Sequence, residues 1–206
     1  MGITRLVHYA AICALGASQA LAAEKLTKAD KLAIASSPEQ IAAKAEVKND
    51  DLDTTISIST EPFTPKKLTI FSPHGSDKFL RAFVDKRSGK TLFQIYFWTS
   101  YLGRDWLFLN GLNYESPAGP VSAKAERLAG DVTCGRIGCN YMEHLVAEIP
   151  EAVLRSVSAG AQAGTDEQWA FRIYAKQAEP LSTTFLKTEI AGLLIAVDKE
   201  VLALKK

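Results

Sequence analysis

The sequence predicts an α+β fold that is mainly β: a twisted antiparallel sheet or sandwich of about eight strands with a C-terminal amphipathic helix packed on it. The first observation is that apolar and polar residues alternate at a period of two through residues 53–176, as in half-buried strands. The second is that apolar residues after Thr188 recur at helical spacing. A sheet and a helix that each carry one apolar face bury those faces against each other, which predicts the layered arrangement.

The best-defined strand prediction is Thr91–Tyr101, which has bulky residues on both faces. Phe93, Ile95 and Phe97 fall on one face, and Leu92, Tyr96 and Trp98 fall on the other. A hairpin around Arg87–Lys90 joins this strand to Phe79–Lys86. The next strand is expected at Asp105–Ser116, with Trp106, Phe108 and Tyr114 opposite Leu107 and Leu109. The other predicted strands are Thr54–Thr60, Leu68–Phe71 before a turn at Ser72–Gly75, Val121–Leu128 and Gln168–Lys176.

Two short helices are indicated by their start signals. Ser37–Gln40 supplies an N-cap serine, a proline at the first position and a glutamine that can cap back. The following segment, Ala42–Lys48, is compatible with a short helix or with the first strand. A second helix is expected from Pro150 to Gly160.

The C-terminal helix has the strongest helical pattern. Thr188 is expected as its N-cap, and Glu189 lies at the positive end of the helix dipole. One apolar stripe contains Ile190, Leu193, Leu194, Val197, Val201 and Leu204. Because Ile195 and Leu202 flank that stripe, the helix is expected either to be well buried or to offer an interaction surface.

Residues 1–22 resemble a cleavable secretion signal, which leaves 23–206 as a single globular domain. Arg5 precedes an apolar run from Leu6 to Leu15, and Ala20–Ala22 has the small-x-small pattern of a cleavage site. The run is shorter than the roughly 20 apolar residues that span a bilayer, so a membrane anchor is the weaker alternative. The mature protein is therefore expected to be periplasmic or secreted, with no transmembrane segment.

The charge balance argues against a nucleic-acid partner. Of the 24 Lys and Arg, one (Arg5) lies in the predicted signal, which leaves 23 against 23 Asp and Glu in the mature chain. No basic stripe is visible. No phosphate loop, nucleophile elbow or zinc-protease helix occurs either, and no cofactor or metal is predicted. Asn49–Asp53 clusters carboxylates but lacks the glycine and distal glutamate of a calcium loop, which favours a solvated turn.

Removal of Cys13 with the signal leaves Cys134 and Cys139, an even pair that predicts a disulfide in an oxidising compartment. Glycines at both ends of the intervening Gly135–Gly138 favour a tight turn, so the bridge would cross-link the two strands of a β-hairpin next to that turn. A redox-active pair is disfavoured because four residues separate the cysteines instead of two. A zinc site is disfavoured because two further ligands are needed.

Two groups of residues are candidates for a functional site. His144, with Glu143 or Tyr141, could serve as a general base in a cleft, although consecutive strand residues face opposite sides and a core histidine is the simpler interpretation. The aromatic residues Tyr96, Trp98, Trp106 and Phe108 either belong to a two-layer core or line a ligand pocket.

Four stretches, taken in order, resemble a group of small exported Gram-negative bacterial proteins of unknown function. They are Asp50–Pro62, Lys78–Trp98, Gly130–His144 and Glu189–Asp198. The resemblance implies an exported origin and supports the disulfide hairpin, but it brings no activity and no site residues.

Three functions are consistent with these patterns. The leading hypothesis is a non-enzymatic exported binding or envelope-associated protein whose small-molecule or protein partner is unknown. The alternatives are an exported hydrolase-like enzyme that uses His144 in a cleft, and a purely structural or interaction domain.

Overall fold

The computed structural model describes residues 28–63 and 75–206, and in those residues it contains four helices and nine strands. The helices are α1 (Lys28–Ala35), α2 (Pro38–Lys44), α3 (Glu151–Val157) and α4 (Lys187–Ala203). The strands are β1 (Glu46–Lys48), β2 (Thr55–Ser59), β3 (Gly75–Asp85), β4 (Thr91–Gly103), β5 (Leu109–Ser116), β6 (Gly119–Gly135), β7 (Gly138–Glu148), β8 (Gln168–Ala175) and β9 (Leu181–Leu186). The predicted signal at 1–22, the strand at Leu68–Phe71 and most of the turn at Ser72–Gly75 lie outside the described residues.

The strands form one antiparallel sheet in the order β1-β2-β3-β4-β7-β6-β5-β8-β9. The long strand β6 changes partner along its length, since residues 119–124 pair with β5 and residues 125–135 pair with β7. The sheet is strongly curled, so that the ammonium of Lys78 on β3 lies 5.6 Å from the ring centre of Phe185 on β9. The mainly β prediction with a C-terminal helix is confirmed.

Helix α4 packs inside the curl of the sheet, and this contact is the centre of the core. Its buried apolar residues are Ile190, Leu193, Leu194, Ala196 and Val197. The largest fully buried side chains of the sheet are Trp169, Phe93 and Phe185. The buried part of the predicted stripe is therefore core, whereas Leu204, Ile195 and Leu202 are 37%, 38% and 60% exposed.

Helix α2 crosses α4 at a very short distance, which requires a glycine. A Cβ atom at Gly192 would lie 2.6 Å from Cγ2 of Ile41 and 3.0 Å from the carbonyl oxygen of Pro38. The approach of α2 is fixed by the predicted capping box, in which Ser37 and Gln40 exchange hydrogen bonds at its N-terminus. This start signal is confirmed. The segment after it is a helix through Lys44 with Ala45 as its C-cap, and β1 begins at Glu46.

Two local predictions are wrong. The strand expected at Asp105–Ser116 begins only at Leu109, because the segment before it is a loop in which Phe108 adopts a positive φ of 55°. Thr188 is not the N-cap of the last helix. That helix begins at Lys187, with Leu186 as an N-cap that makes no side-chain hydrogen bond. Strand β9 runs straight into α4, which leaves no separate capping residue between them.

The hairpin formed by β6 and β7 carries the predicted disulfide. Cys134 lies opposite Cys139 and is bonded to it, and Gly135 pairs with Gly138 across a turn made by Arg136 and Ile137. Gly138 has a φ of 135°, which L-residues other than glycine rarely adopt. Closure of so small a loop contributes about 2 kcal/mol by chain entropy. In the described part of the chain, no helix is long and apolar enough to cross a membrane.

Candidate functional site

A cavity of about 380 Å³ opens at one end of the curled sheet, and we call it the α1–β9 cavity. Helix α1 and the strands β3 and β9 form its walls, and the first turn of α4 contributes Glu189. Its apolar lining consists of Ala33, Ile34, Phe63, Phe97, Leu181 and Leu186. The charged residues of the described chain that line it are Asp30, Asp77, Lys78, Asp166 and Glu189. An apolar wall with a few polar groups is typical of small-molecule sites.

Glu189 is the most buried charged group of this cavity, with 5% of its surface exposed. It occupies the third residue of α4 because β9 leads directly into that helix. Its Oε1 accepts a hydrogen bond of 2.7 Å from the hydroxyl of Thr60. That hydroxyl accepts a hydrogen bond of 3.0 Å from the amide of Leu80, and the carbonyl oxygen of Leu80 lies 3.3 Å away as a second acceptor for its proton. None of the ion pairs between described side chains includes Glu189.

Burial raises the pKa of Glu189 to about 7, since a carboxylate is poorly solvated inside the protein. Three neighbouring groups modify this effect. The Thr60 hydrogen bond and the positive charge of Lys78 lower the pKa, and the negative charge of Asp77 raises it. Near neutral pH the carboxyl group therefore exchanges between its two protonation states. A titratable residue whose pKa is strongly shifted, and which lies in the wall of a cavity, is a candidate functional residue.

Thr188, next to Glu189, has a buried hydroxyl without a hydrogen-bond partner in the described structure. The residue is 2% exposed. Buried polar groups are normally satisfied, and an unsatisfied hydroxyl costs about 1–3 kcal/mol. The first turn of α4 therefore carries two buried polar groups whose hydrogen-bonding capacity is not fully used.

His144 lies on the outward face of β7, away from the α1–β9 cavity. Its Nδ1 is 2.6 Å from the hydroxyl of Tyr96, and its ring centre is 6.5 Å from that of Trp98. Burial lowers the pKa of His144 and raises the pKa of Tyr96, because it disfavours the charged form of each side chain. Phe79 stacks on Tyr96 with ring centres 4.6 Å apart. The structure thus joins three of the sequence candidates in one outward cluster.

Glu143 lies on the inward face of the same strand and is separated from His144. Its Oε1 accepts hydrogen bonds from the hydroxyl of Tyr101 at 2.6 Å and the amide of Leu107 at 2.8 Å. Its Oε2 accepts one from the amide of Leu109 at 3.1 Å and lies 3.7 Å from Nε of Arg127. With no exposed surface and these partners, Glu143 anchors the loop before β5 and is not placed to orient His144.

The remaining candidates surround the loop that Glu143 holds. Tyr141 stacks on Tyr101 with ring centres 5.7 Å apart, and Trp106 meets Tyr141 edge-on at 5.0 Å. The guanidinium of Arg127 lies 4.0 Å from the centre of the Trp106 ring. Phe108 donates its amide to Glu143 at 3.2 Å. The four aromatic residues expected to line one pocket are therefore divided between the outward cluster and this loop.

Glu189, Thr60 and Lys78 were not predicted as site residues from the sequence. One signal for Glu189 was present, because it shares a helix face with Leu193 and Ala196, which are four and seven positions later. A carboxylate is rarely buried unless it is paired, and the favourable position of Glu189 at the positive end of the helix dipole does not explain its burial. Thr60 and Lys78 had no comparable signal, since only the sheet register brings them to Glu189.

Asn49–Asp53 forms a turn between β1 and β2, in which Asp50 accepts a hydrogen bond of 2.8 Å from the amide of Leu52. Among the described side chains, no group of three His, Cys, Asp or Glu is arranged to hold a metal ion. No protein-family model matches this chain, and neither does any curated protein or solved structure.

Proposed function

We propose that this chain is an exported, non-enzymatic binding protein that takes a small ligand in the α1–β9 cavity. The observation that carries the proposal is the cavity itself. Its volume of about 380 Å³ falls in the range of about 300–1,000 Å³ for small-molecule sites. Its wall combines aromatic side chains, Phe63 and Phe97, with the buried carboxyl group of Glu189.

Export is proposed on one feature of the sequence and one of the fold. Residues 1–22 have the pattern of a cleaved signal, and a disulfide such as Cys134–Cys139 is typical of proteins that fold in an oxidising compartment. Intact-mass measurement of protein from the periplasm or medium should show cleavage near Ala22 and one bridge. Retention of residues 1–22, or two free thiols, would contradict export.

Binding is tested with the neutral fluorescent probe N-phenyl-1-naphthylamine, whose emission rises in apolar sites. We expect saturable binding to the purified protein and at least tenfold weaker binding to Ala33→Phe, because the larger side chain fills the cavity wall at α1. Ala152→Phe, on the exposed surface of α3, is the matched control and should bind as the wild type does. Equal binding by all three proteins would refute the proposed site.

A hydrolase-like enzyme remains a second candidate because the 2.6 Å contact between His144 and Tyr96 brings two titratable groups together. A neutral imidazole with a tyrosine partner can act as a general base. An ester-hydrolysis assay with p-nitrophenyl acetate tests it, with His144→Gln as the variant and imidazole at the same concentration as the reference. Turnover no faster than free imidazole, or unchanged in the variant, would exclude this role.

A further inference from the structure

We infer that the α1–β9 cavity selects ligands that carry a protonated amine on a short apolar chain, with Glu189 as the group that recognises the amine. The inference deepens the proposed function and depends on it. The size of the cavity alone does not distinguish alkylamines from other small ligands, whereas the groups that line it do.

The first argument is the unused hydrogen-bonding capacity of Glu189. An ionised carboxylate can accept about four hydrogen bonds, and here one donor, the Thr60 hydroxyl, is present in the described structure. The group is 95% removed from solvent, so water supplies little of the remainder. An ammonium group offers three donors and no acceptor, and it therefore complements this carboxylate.

The second argument is the sign of the charge around the cavity. Among the described residues that line it, Glu189 is joined by carboxylates from three other elements, namely Asp30 on α1, Asp77 on β3 and Asp166 before β8, and by the ammonium of Lys78. That cation, Lys78, lowers the pKa of Glu189 through its positive charge. Its ammonium is 5.6 Å from the centre of the Phe185 ring. A cavity lined mainly by one sign of charge concentrates ligands of the opposite sign.

The third argument is the form of the cavity wall. Phe63, Phe97 and Leu186 provide the apolar surface that an alkyl chain needs. A ligand carboxylate would face the carboxyl of Glu189 and the acidic lining, which is unfavourable. A neutral alcohol would fill the same space but would leave the charge of Glu189 uncompensated. Of these three kinds of ligand, only the alkylamine complements both the carboxyl group of Glu189 and the apolar wall.

The inference predicts that binding depends on pH. A bound ammonium stabilises the ionised carboxylate, so amine binding below pH 7 must be accompanied by release of the Glu189 proton. Besides Thr60, the charged groups that affect Glu189 are Asp77 and Lys78 of β3. An alkylamine itself stays protonated through this range, as a lysine does.

The experiment compares hexylamine, 1-hexanol and hexanoate as competitors of N-phenyl-1-naphthylamine at pH 8.5. We expect hexylamine to bind at least tenfold more tightly than hexanol, equal to about 1.4 kcal/mol, and hexanoate to bind more weakly than either. The advantage of the amine over hexanol should shrink as the pH falls to 5.5, because the carboxyl of Glu189 becomes protonated.

The variant Glu189→Gln keeps an oxygen for the Thr60 hydroxyl and should bind the amine and the alcohol within about twofold of each other. Glu200→Gln, on the same helix but outside the cavity, is the matched control and should keep the preference for the amine. Equal affinities of wild type for hexylamine and hexanol would overturn the inference while leaving the proposed site intact. Absence of probe binding to the cavity would instead defeat the proposed function, and the head-group comparison with it.

Discussion

Replacement of Glu189 by Gln should abolish a loss of stability that the wild-type protein undergoes between pH 4.5 and pH 7. The ordinary pKa of this carboxyl group is 4.5, and in the folded protein burial raises the pKa to about 7. Between these values the folded state holds a proton that the unfolded state has released, so stability falls as the pH rises. At 1.36 kcal/mol for each pKa unit, the whole fall amounts to about 3 kcal/mol and is complete above pH 7.

The assay is urea denaturation of the wild type and Glu189→Gln at several pH values from 4.5 to 8. Stability is compared as the difference between the two proteins at each pH, because other groups titrate in the same interval. His144 is one of them, and its lowered pKa acts with the opposite sign. We expect the variant to gain about 3 kcal/mol relative to wild type across this range. Parallel pH profiles would refute the argument that Glu189 is buried and protonated.

Three further predictions concern the framework that positions the cavity. Glu143→Gln should lower the free energy of unfolding by about 2–4 kcal/mol, as measured in urea, because an amide nitrogen would replace Oε2 and face the amide of Leu109 and the guanidinium of Arg127. Glu148→Gln, at an exposed position of the same strand, should change the stability by less than about 0.5 kcal/mol. Equal effects would contradict the anchoring role. Gly192→Ala should lower the melting temperature and reduce the free energy of unfolding by about 1–3 kcal/mol, since the added Cβ would overlap helix α2. This loss is expected despite the better helix propensity of alanine, and a stabilised variant would show that the two helices are not so close. Joint replacement of Cys134 and Cys139 by Ser should cost about 2 kcal/mol without a change in probe binding, and weakened binding would contradict the separation of this hairpin from the cavity.

Local patterns were sufficient to predict the layers of the fold. The alternation in Thr91–Tyr101 assigned both faces of β4 correctly, because each residue's side is fixed by its own position in the strand. The apolar stripe of the last helix and the capping box at Ser37–Gln40 are likewise properties of a few neighbouring residues. The disulfide was predictable because a hairpin places Cys134 and Cys139 opposite each other.

The cavity was not predictable because it depends on contacts between distant segments. Thr60 and Glu189 are 129 positions apart, and Lys78 approaches Phe185 only because the sheet curls. The error at the loop before β5 has a similar origin. Its residues alternate as a strand does, but hydrogen bonds from their amides to Glu143 hold the backbone out of the sheet. Tertiary hydrogen bonds to a buried carboxylate override the local pattern.

The central claim is that the α1–β9 cavity is the binding site, and a hexylamine titration followed by ¹H–¹⁵N NMR tests it most directly. We predict that the largest shifts fall on backbone amides of the cavity wall, including those of Lys78, Thr184 and Glu189. The amides around His144 should remain unchanged, since that residue lies on the other face of the sheet. Shifts centred on His144 and Tyr96, or spread evenly over the surface, would contradict the account.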